Sequence, residues 1–210
     1  MSTPQTFAIA GLILAGGRAT RMGGRDKAGI ELGGQTLLAR AVARARPQVG
    51  RLLLNANRDP GPFAHYGLPV LADTIGDHWG PLAGILAGLD HLRDTWPQIA
   101  WMASFPTDSP FFPEDLVARL TEALAGHEIA MAASRGRPEP VFALWPVAIA
   151  SELRGALSNG VRKVEDFAKA YRLATVEFPS DAFFNINAPE DLQQAARRLQ
   201  DQPGYRAING

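Results

Sequence analysis

Leu12-Ile13-Leu14-Ala15-Gly16-Gly17-Arg18-Ala19-Thr20-Arg21-Met22-Gly23-Gly24-Arg25-Asp26-Lys27 decides how the chain reads. The apolar run from Phe7 to Leu14 predicts a buried strand. It breaks at Gly16-Gly17, passes two arginines and a second glycine pair, and ends on Asp26-Lys27. Without a Cβ, glycine lets backbone N–H groups close on an anion, and the basic side chains add charge around it. The alternative is a flexible surface loop after an edge strand. A phosphate-binding loop accounts better for a strand, two glycine pairs and basic residues in one place. Two other phosphate loops are excluded. No Gly-Lys-Ser/Thr stands at the P-loop spacing, and Arg18 occupies the second glycine position of Gly-x-Gly-x-x-Gly.

Outward from this loop, strands alternate with helices. Thr36 is a candidate N-cap for a helix with Leu37, Leu38, Ala41, Val42 and Ala45 at helical spacing, ended by Pro47. Arg51–Asn55, Leu68–Asp73, Ile99–Phe105, Ile129–Ala133, Val141–Trp145 and Ala174–Phe178 read as strands. Helices are expected from Gly80-Pro81 to about Leu92, from Glu114 to Leu124, from Pro146 to about Leu157, from Arg162 to Tyr171, and from Pro189 onward. Alternation of this kind predicts a Rossmann-like three-layer α/β/α fold with a mostly parallel central sheet. Ligands of such sheets sit at the carboxyl ends of strands, where Leu14, Asn55, Asp73 and Asp108 fall. Gly84 and Gly88 imply close approach of a backbone, a ligand or the sheet to one helix face.

The 210 residues fit one domain over 1–200, with 201–210 expected as a mobile tail. Formal net charge is zero, which gives no field toward nucleic acid or an anionic membrane. There is no cysteine, so disulfides, thiol nucleophiles and cysteine metal sites are excluded. The stretch Met1–Thr6 carries no basic region ahead of an apolar one, and no run is long enough for a bilayer, so a cytoplasmic protein is expected. Of 21 basic residues only Lys27, Lys163 and Lys169 are lysines. Where arginine is the default cation, a lysine closing a glycine loop suggests a required point charge. His65, His78, His91 and His127 share no metal-ligand spacing.

The opening loop resembles the LAGG-x-x-x-RMGG-x-DK loop of the molybdenum cofactor guanylyltransferases, a family similar in fold to the nucleotide-diphospho-sugar transferases. The resemblance continues in order through Asn55-Ala56-Asn57, Asp73, Gly80-Pro81-Leu82-Ala83-Gly84, Thr107-Asp108-Ser109-Pro110, Pro140-Val141 and Asn185-Ile186-Asn187. It implies transfer of GMP from GTP to the terminal phosphate of molybdenum-molybdopterin, with Mg²⁺ and release of pyrophosphate. It also implies a GTP-binding half over about 7–110 and an acceptor-binding half over about 111–200. Leu14, Ala15, Gly16, Gly17, Gly24, Gly80 and Pro81 would contact the nucleotide, and Arg21 and Lys27 would screen the triphosphate. Asp108 would hold Mg²⁺, unless it caps the helix near Pro113.

Asp73 could accept from guanine N1–H and N2–H₂ together, or simply make a turn. Asn55 suits ribose or base. Arg162, Lys163, Asn185 and Asn187 are candidates for the pterin side, with Asn185 and Asn187 expected on a strand. Arg18 and Arg25 suit phosphate or solvent equally. The Gly16-Gly17 pair matches the guanylyl-transferring branch, whereas cytidylyl-transferring relatives usually carry alanine there. A monomer is expected, with transient contact to molybdoenzymes or other cofactor-assembly proteins. The competing readings are another nucleotidyltransferase of the same fold, a glycosyltransferase, and a non-catalytic nucleotide-binding module. Thr107-Asp108-Ser109 in place of Asp-x-Asp counts against the glycosyltransferase.

Overall fold

The computed structural model describes residues 8–16, 18–19, 25–76 and 79–201, with backbone alone at 18–19 and 25–26. In chain order the strands are β1 (Ile9–Leu14), β2 (Arg18–Ala19), β3 (Arg25–Asp26), β4 (Glu31–Leu32), β5 (Gln35–Thr36), β6 (Arg51–Asn55), β7 (Val70–Leu71), β8 (Trp101–Pro106), β9 (Ile129–Ser134), β10 (Arg137–Pro146) and β11 (Leu173–Phe178). The helices are α1 (Leu37–Ala45), α2 (Pro81–Thr95), α3 (Leu116–Ala123), α4 (Ala150–Ser158), α5 (Val164–Ala168) and α6 (Pro189–Asp201).

Seven strands form one sheet in the order β11-β9-β10-β8-β1-β6-β7. β1 pairs in parallel with β6 and β8, β6 with β7, and β9 with β11, whereas β10 runs antiparallel to both its neighbours. Every strand of this sheet except β10 therefore points the same way. The carboxyl ends of β1, β6, β7 and β8 line one edge.

Strand period fixes the layers. Ile9 and Ile13 of β1 join α1 and α3 in one core, while Ala10 and Leu12 join α2, α4 and α5 in the other. A third cluster packs Ala195 and Leu199 of α6 against Ile30, Leu32 and Leu37, with Ile186 between them. This ties the end of the chain to the segment just after Lys27.

Local chemistry explains most boundaries. The hydroxyl of Thr36 accepts from the Ala39 N–H at 3.0 Å and caps α1. Pro47 sits in a 3₁₀ turn, Arg46–Gln48, that ends it. Pro189 is the first residue of α6. Gly84 and Gly88 are packing residues. A Cβ on Gly84 would strike the Asn55 amide and come within 2.6 Å of Leu14 Cδ2, and one on Gly88 would lie 2.7 Å from Met102 Sδ. The glycine face thus presses α2 onto β1, β6 and β8.

Three expectations are corrected. Pro146 ends β10 in an extended conformation, and Val147 donates to Ala100 O at 2.8 Å before a 3₁₀ turn leads into α4. β10 starts at Arg137 rather than Val141, and its register shifts between Glu139 and Ala143. The prolines at 138 and 140 disguise that start as a loop. Residues 185–187 form no strand. Their backbone link is a single bond from Ile186 N–H to Asp108 O, at 2.7 Å.

Candidate active site

The loop after β1 folds back on itself. Arg18 pairs with Asp26 and Ala19 with Arg25, so β3 returns the chain to the end of β1 and delivers Lys27 there. Gly17, Arg21 and Gly24 lie outside the described residues, as does His78. The side chains of Arg18 and Arg25 are not described.

Lys27 Nζ lies 3.0 Å from Asp108 Oδ2 and donates as well to Asn187 Oδ1. Their side chains are 14 % and 25 % exposed, so the ion pair is shielded yet reachable. Three separate segments meet here: the loop after β1, the loop after β8, and the segment before α6. Asp108 does not cap α3, whose first turn is preceded by Asp115. The other carboxylate oxygen of Asp108, Oδ1, takes no hydrogen bond from a described residue.

Supporting bonds hold the segments in place. Thr107 donates to Leu14 O through its N–H at 3.3 Å and its hydroxyl at 3.2 Å. Ser109, fully buried, donates from Oγ to Asn185 Oδ1 at 2.5 Å. Asp191 Oδ2 accepts from the N–H groups of Asn187 and Ala188, both at 2.8 Å, in the manner of a capping box. Ala15 N–H donates to Asn55 O at 2.9 Å, which leaves the exposed Gly16 with a backbone N–H that meets no described acceptor.

A second cluster stands on the other side of β1. Asp73 lies two residues beyond β7. Its Oδ1 accepts from Asn55 Nδ2 at 2.8 Å and its Oδ2 from Asn57 Nδ2 at 2.7 Å. Asp73 N–H donates back to Asn57 Oδ1 at 2.7 Å. Asn55 is buried and also gives Nδ2 to Leu71 O at 3.1 Å.

Between the clusters runs the amino end of α2. Gly80 has φ +73°, a left-handed conformation that favours glycine, and Pro81 opens the helix. Trp79, just before it, stacks under the Arg162 guanidinium, whose carbon lies 3.8 Å from the ring centroid. Arg162 also donates from Nη1 to Leu157 O at 2.7 Å and Val161 O at 2.8 Å. Arg162 thus braces the loop before α2. Nothing in the sequence singled out Trp79, Ser109 was visible only inside Thr107-Asp108-Ser109-Pro110 and Asp191 only as a first-turn acid, and Asn57 stood out only as the end of Asn55-Ala56-Asn57.

Among the described residues no group of three or more His, Asp or Glu is arranged to hold a metal. No helix among them is long and apolar enough to cross a membrane.

Residues 11–175 match the family described as the MobA-like NTP transferase domain. The molybdenum cofactor guanylyltransferase of Rhodopseudomonas palustris (strain BisB5) is 50% identical over 200 residues, covering 92% of this chain and 94% of the relative. Among solved structures, the molybdopterin-guanine dinucleotide biosynthesis protein A of Archaeoglobus fulgidus superposes with a TM-score of 0.72 at 22% identity, over 92% of this chain and 100% of that one. The 4-diphosphocytidyl-2C-methyl-D-erythritol synthase of Anaerococcus prevotii gives 0.71 at 15%, over 91% and 96%. The last two similarities establish the fold: that of the nucleotide-diphospho-sugar transferases.

Proposed function

The chain belongs to the molybdenum cofactor guanylyltransferases, within the MobA-like NTP transferase family, and from that premise we propose how its sheet edge moves GMP from GTP to molybdenum-molybdopterin. One observation carries the reading. Lys27 and Asp108 are 81 residues apart in sequence, yet they form an ion pair at the carboxyl ends of β1 and β8.

The acceptor phosphate is already anionic at neutral pH, so the protein needs no nucleophile of its own. Its task is alignment and neutralisation of charge at the α-phosphate and the departing pyrophosphate. Lys27, a compact cation on a flexible stem, exchanges its carboxylate partner for triphosphate oxygens when GTP enters. Gly16 N–H and the first turn of α2 add backbone donors and the positive end of a helix dipole. Arg21, Gly17 and Gly24 complete this loop in the reading by resemblance.

Mg²⁺ fits the donor set. It usually takes one or two carboxylates, with phosphates and waters filling the rest, and Asp108 offers one carboxylate with Oδ1 uncommitted to any described residue. Asp108 would hold the ion, which when bound supplies charge neutralisation to the phosphates. Asp73 would read the guanine N1–H and N2–H₂ with its two oxygens, while Asn55 holds it from the side. The acceptor would enter from the side of β9 to α5, with Arg162, Lys163, Asn185 and Asn187 as the candidates to meet it.

The deciding experiment supplies molybdenum-loaded molybdopterin, Mg²⁺ and either GTP or CTP, and identifies the dinucleotide by mass. The expected product is the guanine dinucleotide with pyrophosphate. A cytosine product in preference would make the chain a cytidylyltransferase of the same fold. Tight GTP binding without pyrophosphate release would make it a binding module.

A further inference from the structure

We infer that Asn57 is a specificity-positioning residue, holding the Asp73 carboxylate in the one plane that can receive two parallel N–H donors from a purine. The inference rests on the reading of Asp73 as the group that faces guanine. An aspartate carboxylate turns readily about its last torsion, which is broad and two-fold. At Asp73 that rotation is blocked from both sides, because Asn55 donates to Oδ1 at 2.8 Å and Asn57 to Oδ2 at 2.7 Å.

Asn57 holds residue 73 twice. Its Nδ2 donates to the carboxylate and its Oδ1 accepts from the Asp73 backbone N–H at 2.7 Å. This reciprocal pair also fixes which end of the Asn57 amide is which, since a flipped amide would set acceptor against acceptor and donor against donor. An ionised carboxylate has about four lone-pair sites. Two are taken by the asparagine amides, one on each oxygen, and a further pair remains for two incoming donors.

Asn55 and Asn57 are not equivalent. Asn55 is buried, lies under Gly84 of α2 and serves the fold as well as the carboxylate. Asn57 is exposed, and its recorded side-chain bonds go to Asp73. Removing it loosens the carboxylate without opening the core. The effect should therefore fall on the choice of base rather than on folding or on turnover of bound GTP.

The test compares GTP with inosine triphosphate, which keeps N1–H and lacks the N2 amino group, by equilibrium titration in Mg²⁺ and by initial rates. Wild type, Asn57→Ala, Asn57→Asp and Asp73→Asn are measured side by side. Asn57→Asp is nearly isosteric and can still accept the Asp73 N–H, but when ionised it cannot donate to Oδ2 and sets a like charge against it, so it replaces the donor half of the clamp by repulsion while Asn57→Ala simply removes the clamp.

Both Asn57 variants are expected to reduce the preference for GTP over inosine triphosphate about tenfold, through KM and Kd, with kcat for saturating GTP close to wild type. If they keep the wild-type preference while Asp73→Asn loses it, the inference fails and the guanine reading stands. If Asp73→Asn weakens both nucleotides equally, the guanine reading fails and takes the inference with it. A preference lost in the Asn57 variants but kept in Asp73→Asn would also overturn the inference, because Asn57 would then act without Asp73.

Discussion

The two polar clusters at the carboxyl edge of the sheet are assembled in opposite ways. Asn55 and Asn57 lie 18 and 16 residues before Asp73, and the three sit at the ends of the adjacent strands β6 and β7. Lys27 is 81 residues from Asp108 and 160 from Asn187. The first cluster forms as soon as two neighbouring strands pair. The second exists only when the start, middle and end of the chain are all in place. Their chemistry differs in the same sense. Asp73 is held by neutral amides and offers its charge outward, which suits recognition of a base. Asp108 is neutralised by a lysine, an exchangeable partner that suits the handling of phosphates and a cation. On the proposed reading, recognition is therefore local in this fold and transfer is global.

Asp108→Ala should separate the two most strongly. Guanine dinucleotide formation is expected to fall by about a thousandfold or more, while the preference for GTP over inosine triphosphate stays at the wild-type ratio. Asp73→Asn should do the reverse, narrowing that preference by about a hundredfold through loss of the paired acceptor, with a smaller effect on kcat at saturation. Gly84→Ala attacks both at once. Its Cβ would meet Asn55 and Leu14, and urea unfolding should show a loss of about 1–3 kcal/mol together with weaker binding of every nucleotide.

Asp191→Ala should touch the transfer cluster alone. It frees the N–H groups of Asn187 and Ala188, which is expected to cost about 1 kcal/mol of stability and lower kcat severalfold without altering base preference. A shift in base preference here would contradict the separation.

Glu139→Gln is the smallest change and lies in neither cluster. Burial raises the Glu139 carboxyl above its ordinary value, and the hydrogen bond from Ser134 pulls the other way. With the folded value raised, folding favours the protonated acid. The resulting penalty is absent below the unfolded value, grows as pH rises toward the folded value, and is complete at neutral pH. The glutamine variant should melt slightly above wild type at pH 7, with the gain gone near about pH 4.

Much of this was legible in the sequence because the signals were local. Thr36 before Leu37-Leu38, Pro189 before Glu190-Asp191 and the apolar run into Gly16 each mark a boundary through their own chemistry. Lys27 and Asp108 were legible as a pair through the rule that parallel strands end together and through the family resemblance. What stayed hidden was set by partners distant in the chain. The first residues of β10 were masked by Pro138 and Pro140, and only pairing with β9 makes them a strand. Asn187 was placed with the acceptor, but the sequence could not bring it to Lys27. Asn57 was visible only as the end of Asn55-Ala56-Asn57, because its role depends on the position of residue 73 just beyond a neighbouring strand. Gly84 pointed to close approach without saying of what, until the Asn55 and Leu14 side chains were placed beneath it.

The central claim is that Lys27 and Asp108 divide one triphosphate and its cation between them. A crystal soaked with Mn²⁺ and a non-hydrolysable GTP analogue tests it directly, since manganese is visible by anomalous scattering. The account predicts the cation on an Asp108 oxygen and on the triphosphate, with Lys27 turned from Asp108 to the phosphates. A triphosphate bound elsewhere, with the Lys27–Asp108 pair still closed, would contradict it.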